Sequence, residues 1–72
     1  MQHTIAIQGE FIELFRLLKL ARLVETGGQA KELIRMETVR LGGAVVHELR
    51  KKIRPGDIVS CGEDTLVVTL KV

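Results

Sequence analysis

Residues 26–35, Thr-Gly-Gly-Gln-Ala-Lys-Glu-Leu-Ile-Arg, join a helix start to a cationic helix face. Thr26 and Gln29 stand at capping-box spacing. The threonine hydroxyl can accept from the backbone N–H three residues on, while the glutamine side chain reaches back to the threonine N–H, so the helix is predicted to begin just after Thr26. Gly27 and Gly28 then fall at the helix N-terminus, where free N–H groups and the positive dipole end can hold a phosphate that a side chain would keep away. The plain alternative is a tight connector whose glycines serve backbone conformation. Ala30, Leu33 and Ile34 face the core by their spacing. Lys31 and Arg35, at i and i+4, share another face, where like charges cost about a few tenths of a kcal/mol in an isolated helix. That tolerated repulsion points to an anionic partner; a merely solvated face is the alternative, and the adjacent Glu32 speaks for it.

A second basic cluster, Arg50-Lys51-Lys52 with Arg54 close behind, can act as a phosphate comb or as protection of an exposed strand edge, a use for which lysine is favoured. Arg40 carries the same two readings. His3 and His47 are isolated from any carboxylate–cysteine cluster, so no metal site is expected. Cys61, the sole cysteine, excludes an internal disulfide and a four-cysteine zinc site, and reads as a small half-buried residue beside Gly62. No nucleophile–base–orienter set and no Gly-Lys-Ser/Thr phosphate loop is present, so the chain is read as non-catalytic and without a cofactor.

Seventy-two residues allow one domain at most, near the lower size limit for a fold without staples. A composition of 46% hydrophobic and 28% charged residues is globular, and with Phe11 and Phe15 the only aromatics, base stacking is not expected. Net charge is only +2, but it is unevenly spread. Residues 31–56 hold seven basic and three acidic side chains, whereas residues 57–72 hold one and three. Such clustering is the electrostatic footprint of a nucleic-acid or anionic-surface binder, although solvated basic faces are also common. The N-terminal residues lack a signal-peptide pattern, and no stretch approaches the ~20 apolar residues of a membrane span. A cytoplasmic protein with no membrane partner is expected.

The elements that must position these residues follow from periodicity. Thr4–Ile7 suit a first strand, ended by Gln8-Gly9. Phe11, Leu14, Phe15 and Leu18 predict a helix from Glu10, with Glu10 and Glu13 in its first turn and Arg16 and Lys19 on its exposed edge, Arg22 lying just beyond. A short connector then leads into the capping box. Gly42-Gly43 between Val39–Leu41 and Ala44–Val46 is a tight hairpin signal, because paired glycines supply the positive φ of a type I′ turn. Arg54-Pro55-Gly56-Asp57 predicts a further turn, Ile58-Val59 a strand, Gly62–Asp64 a second hairpin, and Leu66–Leu70 the last strand.

The run Leu14–Leu20, then Thr26–Lys31 with Leu33-Ile34, then Val39, Gly43 and Pro55–Val59, resembles the RNA-binding domain first known from small-subunit ribosomal protein S-four. It is similar in particular to a short stand-alone bacterial subgroup of that family, over roughly residues 5–60. The resemblance implies an α+β fold, the αL motif, with two short helices packed on a small antiparallel sheet with hairpins, and a basic helix surface that docks onto structured RNA such as ribosomal or transfer RNA. The expected RNA-binding residues are Lys19, Arg22, Thr26, Gly27, Gly28, Gln29, Lys31, Arg35, Arg50, Lys51 and Lys52. The implied partners are structured RNA and, around it, the ribosome or a separate RNA-modifying enzyme. This chain departs from the family in three places. Thr26-Gly27 stands where many members have Ser-Arg, Glu37 where helix two usually ends in glycine, and Gly42-Gly43 where Asn-Gly is usual. A protein-interaction module using the sheet edge, or a subunit delivering RNA to an enzyme, are the other readings.

Overall fold

The computed structural model describes residues 1–72 and has nine elements. In chain order they are β1 (Gln2–Ile7), β2 (Ile12–Glu13), α1 (Leu14–Leu20), α2 (Gly27–Arg35), β3 (Val39–Leu41), β4 (Ala44–Val45), β5 (Lys52–Ile53), β6 (Ile58–Cys61) and β7 (Asp64–Leu70). Five strands form one sheet in the order β1-β7-β6-β3-β4, while β2 and β5 make a separate antiparallel pair. The fold is α+β, as expected. The sheet is mixed rather than purely antiparallel, because β1 runs parallel to β7 with Ile5 opposite Val68.

Period-two alternation turns one face of the sheet toward the helices. Leu66 and Val68 of β7, Val59 and Cys61 of β6 and Val39 of β3 are buried, as are Leu14, Leu17 and Leu18 of α1 and Ala30 and Ile34 of α2. Ile53 of β5 closes the core, and no polar or charged residue is buried in it. Each large side chain so buried stabilises the fold by about 1.5–3 kcal/mol relative to exposure. Aliphatic packing therefore holds the two helices in place.

The turns follow the residues that make them. Gly42 and Gly43 take φ of 57° and 90° and join β3 to β4 with Leu41 opposite Ala44, as a type I′ turn requires. Gly62, at φ 62°, opens the β6–β7 hairpin. In the turn at Pro55 the Asp57 N–H donates to the Arg54 carbonyl at 3.0 Å, and Gly56 supplies φ of 96°.

One boundary differs from the sequence expectation. The first helix starts at Leu14, not Glu10, so neither Glu10 nor Glu13 lies in its first turn. Ile12 and Glu13 instead pair with Ile53 and Lys52. The helix entry is satisfied by that partner segment, since Leu14 N–H donates to the Lys51 carbonyl at 2.8 Å and Phe15 N–H to the Leu49 carbonyl at 3.1 Å. With two of its orphan donors met, the N-cap Glu13 makes no side-chain cap.

Both helices end in the same way. Arg22 N–H donates to Lys19 O and Leu23 N–H to Leu18 O, and Glu37 N–H donates to Ile34 O and Thr38 N–H to Leu33 O. These are paired Schellman closures, with Arg22 at φ 61° and Glu37 at φ 58° in the left-handed region that glycine normally fills. Glu37 thus takes the backbone conformation for which the family's usual glycine is suited.

Candidate nucleic-acid interface

The start of α2 is built by the capping box read from sequence. Thr26 Oγ1 accepts from Gln29 N–H at 3.2 Å, and Gln29 Oε1 accepts from the backbone N–H of Thr26 at 3.3 Å and of Glu25 at 2.5 Å. Thr26 and Gln29 are therefore both engaged within the helix start. Of the first-turn N–H groups, Ala30 donates to Thr26 O and Gln29 to Thr26 Oγ1, which leaves those of Gly27 and Gly28 without a partner.

The fold does not need glycine at either position. Both lie in helical backbone rather than at positive φ. A methyl group on Gly27 would meet nothing closer than Phe15 Cζ at 3.9 Å, and one on Gly28 nothing closer than Thr26 Oγ1 at 3.8 Å, which are ordinary contacts. The pair leaves two N–H groups without a partner in the chain at the positive end of the α2 dipole.

Lys19, Arg22 and Lys31, on or beside the two helices, are exposed and free of acidic partners. Phe15, which approaches Gly27, also carries Lys19 Nζ over its ring at 5.6 Å from the centroid. The half-buried Phe15 ring thus touches α2 at Gly27 and carries Lys19 of α1 over its face. Sequence reasoning did not give Phe15 this role, although its i, i+4 spacing to Lys19 was a usable signal. Arg22 is exposed, at the end of α1, and Lys31 is exposed on α2 with no ion-pair partner.

Other members of the expected set are engaged elsewhere. Arg35 Nε donates to Glu32 Oε2 at 3.1 Å and its Nη2 to Oε1, a two-pronged pair on the exposed face of α2. That hydrogen bonding, reinforced by the guanidinium charge, holds the Glu32 carboxyl below its ordinary pKa and raises that of Arg35. Arg50 Nε donates to Glu13 Oε2 at 3.1 Å, and Lys52 Nζ lies 4.9 Å from the Phe11 ring centroid. Lys51 is exposed without an acidic partner, and its carbonyl anchors the start of α1. The segment 50–52 is thus tied to the entry of α1, whereas Lys19 and Gly27 both approach Phe15.

The remaining titratable candidates stay apart from this region. His3 Nε2 lies 3.0 Å from Asp64 Oδ1 across the β1–β7 pair. Cys61 is buried rather than half-buried, and that burial, with Asp64 second, pushes its thiol pKa above the ordinary value. No helix is long and apolar enough to cross a membrane.

The architecture is two short helices packed on a small mixed sheet. The family model of the S4 domain matches residues 5–69, and the chain belongs to the S4 domain family. Membership brings RNA binding as the family's general function and extends the likeness seen in the sequence through β7. Comparison with curated protein sequences gives no match.

Proposed function

We propose that this protein is a non-catalytic module that docks onto the phosphate backbone of a folded RNA, of the ribosomal or transfer class, in a bacterial cytoplasm. The contact set is Lys19, Arg22, Gly27, Gly28, Lys31 and Arg35, widened by Arg50, Lys51 and Lys52. The observation that carries this reading is the unpaired Gly27 and Gly28 N–H groups at positions where the fold tolerates a side chain. A phosphate oxygen accepting from both donors would account for glycine there, and its charge would sit at the favourable end of the helix dipole. Thr26 and Gln29 serve that contact by holding the turn and by consuming the neighbouring donors themselves.

Selectivity would be for shape rather than base sequence, since structured RNA is read mainly through phosphates, 2′-hydroxyls and helix geometry. The ribosome, or an RNA-modifying enzyme to which the module delivers RNA, is the setting in which such docking is useful. RNA titrations over a series of potassium chloride concentrations test the reading. Four or five phosphate contacts should give a log–log slope of about −3 to −4. A flat salt response would instead favour a protein-interaction module.

A further inference from the structure

The two edges of the main sheet are treated differently by the sequence. One edge is β4, which is only two residues long and closed by the Gly42-Gly43 turn. The other is β1, six residues, Gln-His-Thr-Ile-Ala-Ile, with no lysine, arginine, acid, proline or glycine. Natural sheets guard an exposed edge with charge, proline, a bulge or brevity, and β1 has none of these.

The hydrogen-bond phase of β1 fixes which groups are open. Thr65 N–H donates to Met1 O at 2.9 Å and Lys71 N–H to Ile7 O at 2.7 Å, so the odd-numbered residues face β7 in this parallel pair. The N–H and C=O groups of Gln2, Thr4 and Ala6 therefore point away from the sheet, and all three residues are exposed. These open groups are symmetric about Thr4.

We infer that β1 is a self-association edge, on which the β1 of a second copy pairs antiparallel about a two-fold axis at Thr4, with Gln2 opposite Ala6. In that register every open donor and acceptor of the three residues finds its equivalent on the other copy, which makes the contact isologous and closed. On the outer face Thr4 meets Thr4, and on the helix side His3 meets Ile5, which is half-buried in the single chain. No charged pair is brought face to face, because the strand's only titratable side chain, His3, is already paired with Asp64 of its own chain. A strand without charge has little with which to select a foreign sequence, yet it is complementary to itself. The two-fold axis stands perpendicular to the sheet, so both helical layers lie on one side. A dimer would then present two basic faces to one RNA, a consequence that rests on the RNA-binding reading, whereas the dimer itself does not.

Sedimentation velocity of the full chain without RNA, across a concentration series, tests this. The expected result is a concentration-dependent monomer–dimer equilibrium in the parent. Thr4→Lys places like charges across the axis and should give a monomer at all concentrations, as should Thr4→Glu, while an equimolar mixture of the two should restore the dimer. Amide hydrogen exchange of the concentrated parent should slow at Gln2, Thr4 and Ala6, a readout that holds even where a variant fails to fold. A parent that stays monomeric throughout would overturn the inference. So would protection confined to another surface, such as the groove at Phe11 and Leu20, or a Thr4→Lys variant that dimerises like the parent.

Discussion

The chain contains two Gly-Gly pairs, and they do different work. Gly42 and Gly43 sit at φ of 57° and 90°, where a side chain strains the backbone, and they close the β3–β4 hairpin. Gly27 and Gly28 sit in ordinary helical backbone with room for a methyl group, and their N–H groups have no partner in the chain. The first kind of glycine is explained from inside the molecule. The second kind has no such internal explanation, and it is there that we propose a phosphate contact.

The largest effect is expected on the exposed face of α2 that carries Lys31 and Arg35. Lys31→Glu with Arg35→Glu should weaken RNA binding on the order of a hundredfold or more, through lost phosphate contacts and added repulsion. The melting temperature should fall only modestly, since Arg35→Glu breaks the exposed pair with Glu32 and reverses a charge at the C-terminal end of α2. A large loss of melting temperature with intact RNA binding would remove the contrast between the two pairs.

Substitution of the pairs themselves sharpens the comparison. Gly28→Glu should leave stability unchanged or slightly raised, because a carboxylate suits a helix N-terminus. RNA affinity should nevertheless fall by roughly tenfold, since the carboxylate occupies the place proposed for the phosphate. Gly43→Ala should show the reverse pattern, with a loss of about 1–2 kcal/mol for an alanine forced into the left-handed region and an unchanged affinity of the folded protein. Urea unfolding and RNA titration on the same samples separate the two.

How far the sequence revealed this division varies by region. The capping box is local, so Thr26, Gln29 and the start of α2 were legible from spacing alone, and the structure has both of its hydrogen bonds. The hairpin at Gly42-Gly43 was legible for the same reason. The start of α1 was not, because the apolar period that includes Phe11 continues through Ile12-Glu13, and only the distant Ile53-Lys52 draws that dipeptide into a strand. The parallel β1–β7 pairing joins the two ends of the chain and likewise leaves no local signature. The basic site residues were legible as charges. Their pairing, Arg35 with Glu32 and Arg50 with Glu13, depends on side-chain geometry, although the Glu32–Arg35 spacing of i, i+3 was visible.

The smallest effects come from the two helix ends that share one backbone geometry. Arg22→Gly and Glu37→Gly should each stabilise the fold by about 0.5–1 kcal/mol, because glycine relieves a left-handed φ while losing more entropy on folding. Only Arg22→Gly should weaken RNA binding, by a few-fold, because one phosphate contact goes with it. Equal RNA affinities in the two variants would place Arg22 outside the interface.

The proposed phosphate contact of the Gly27 and Gly28 N–H groups can be read by following backbone amide resonances of the labelled protein as a short RNA hairpin is added. The Gly27 and Gly28 amides should shift most and saturate together with Lys31, while those of Gly42 and Gly43 stay in place. Shifts concentrated on the β3–β4 hairpin or the sheet, with Gly27 and Gly28 unmoved, would contradict it.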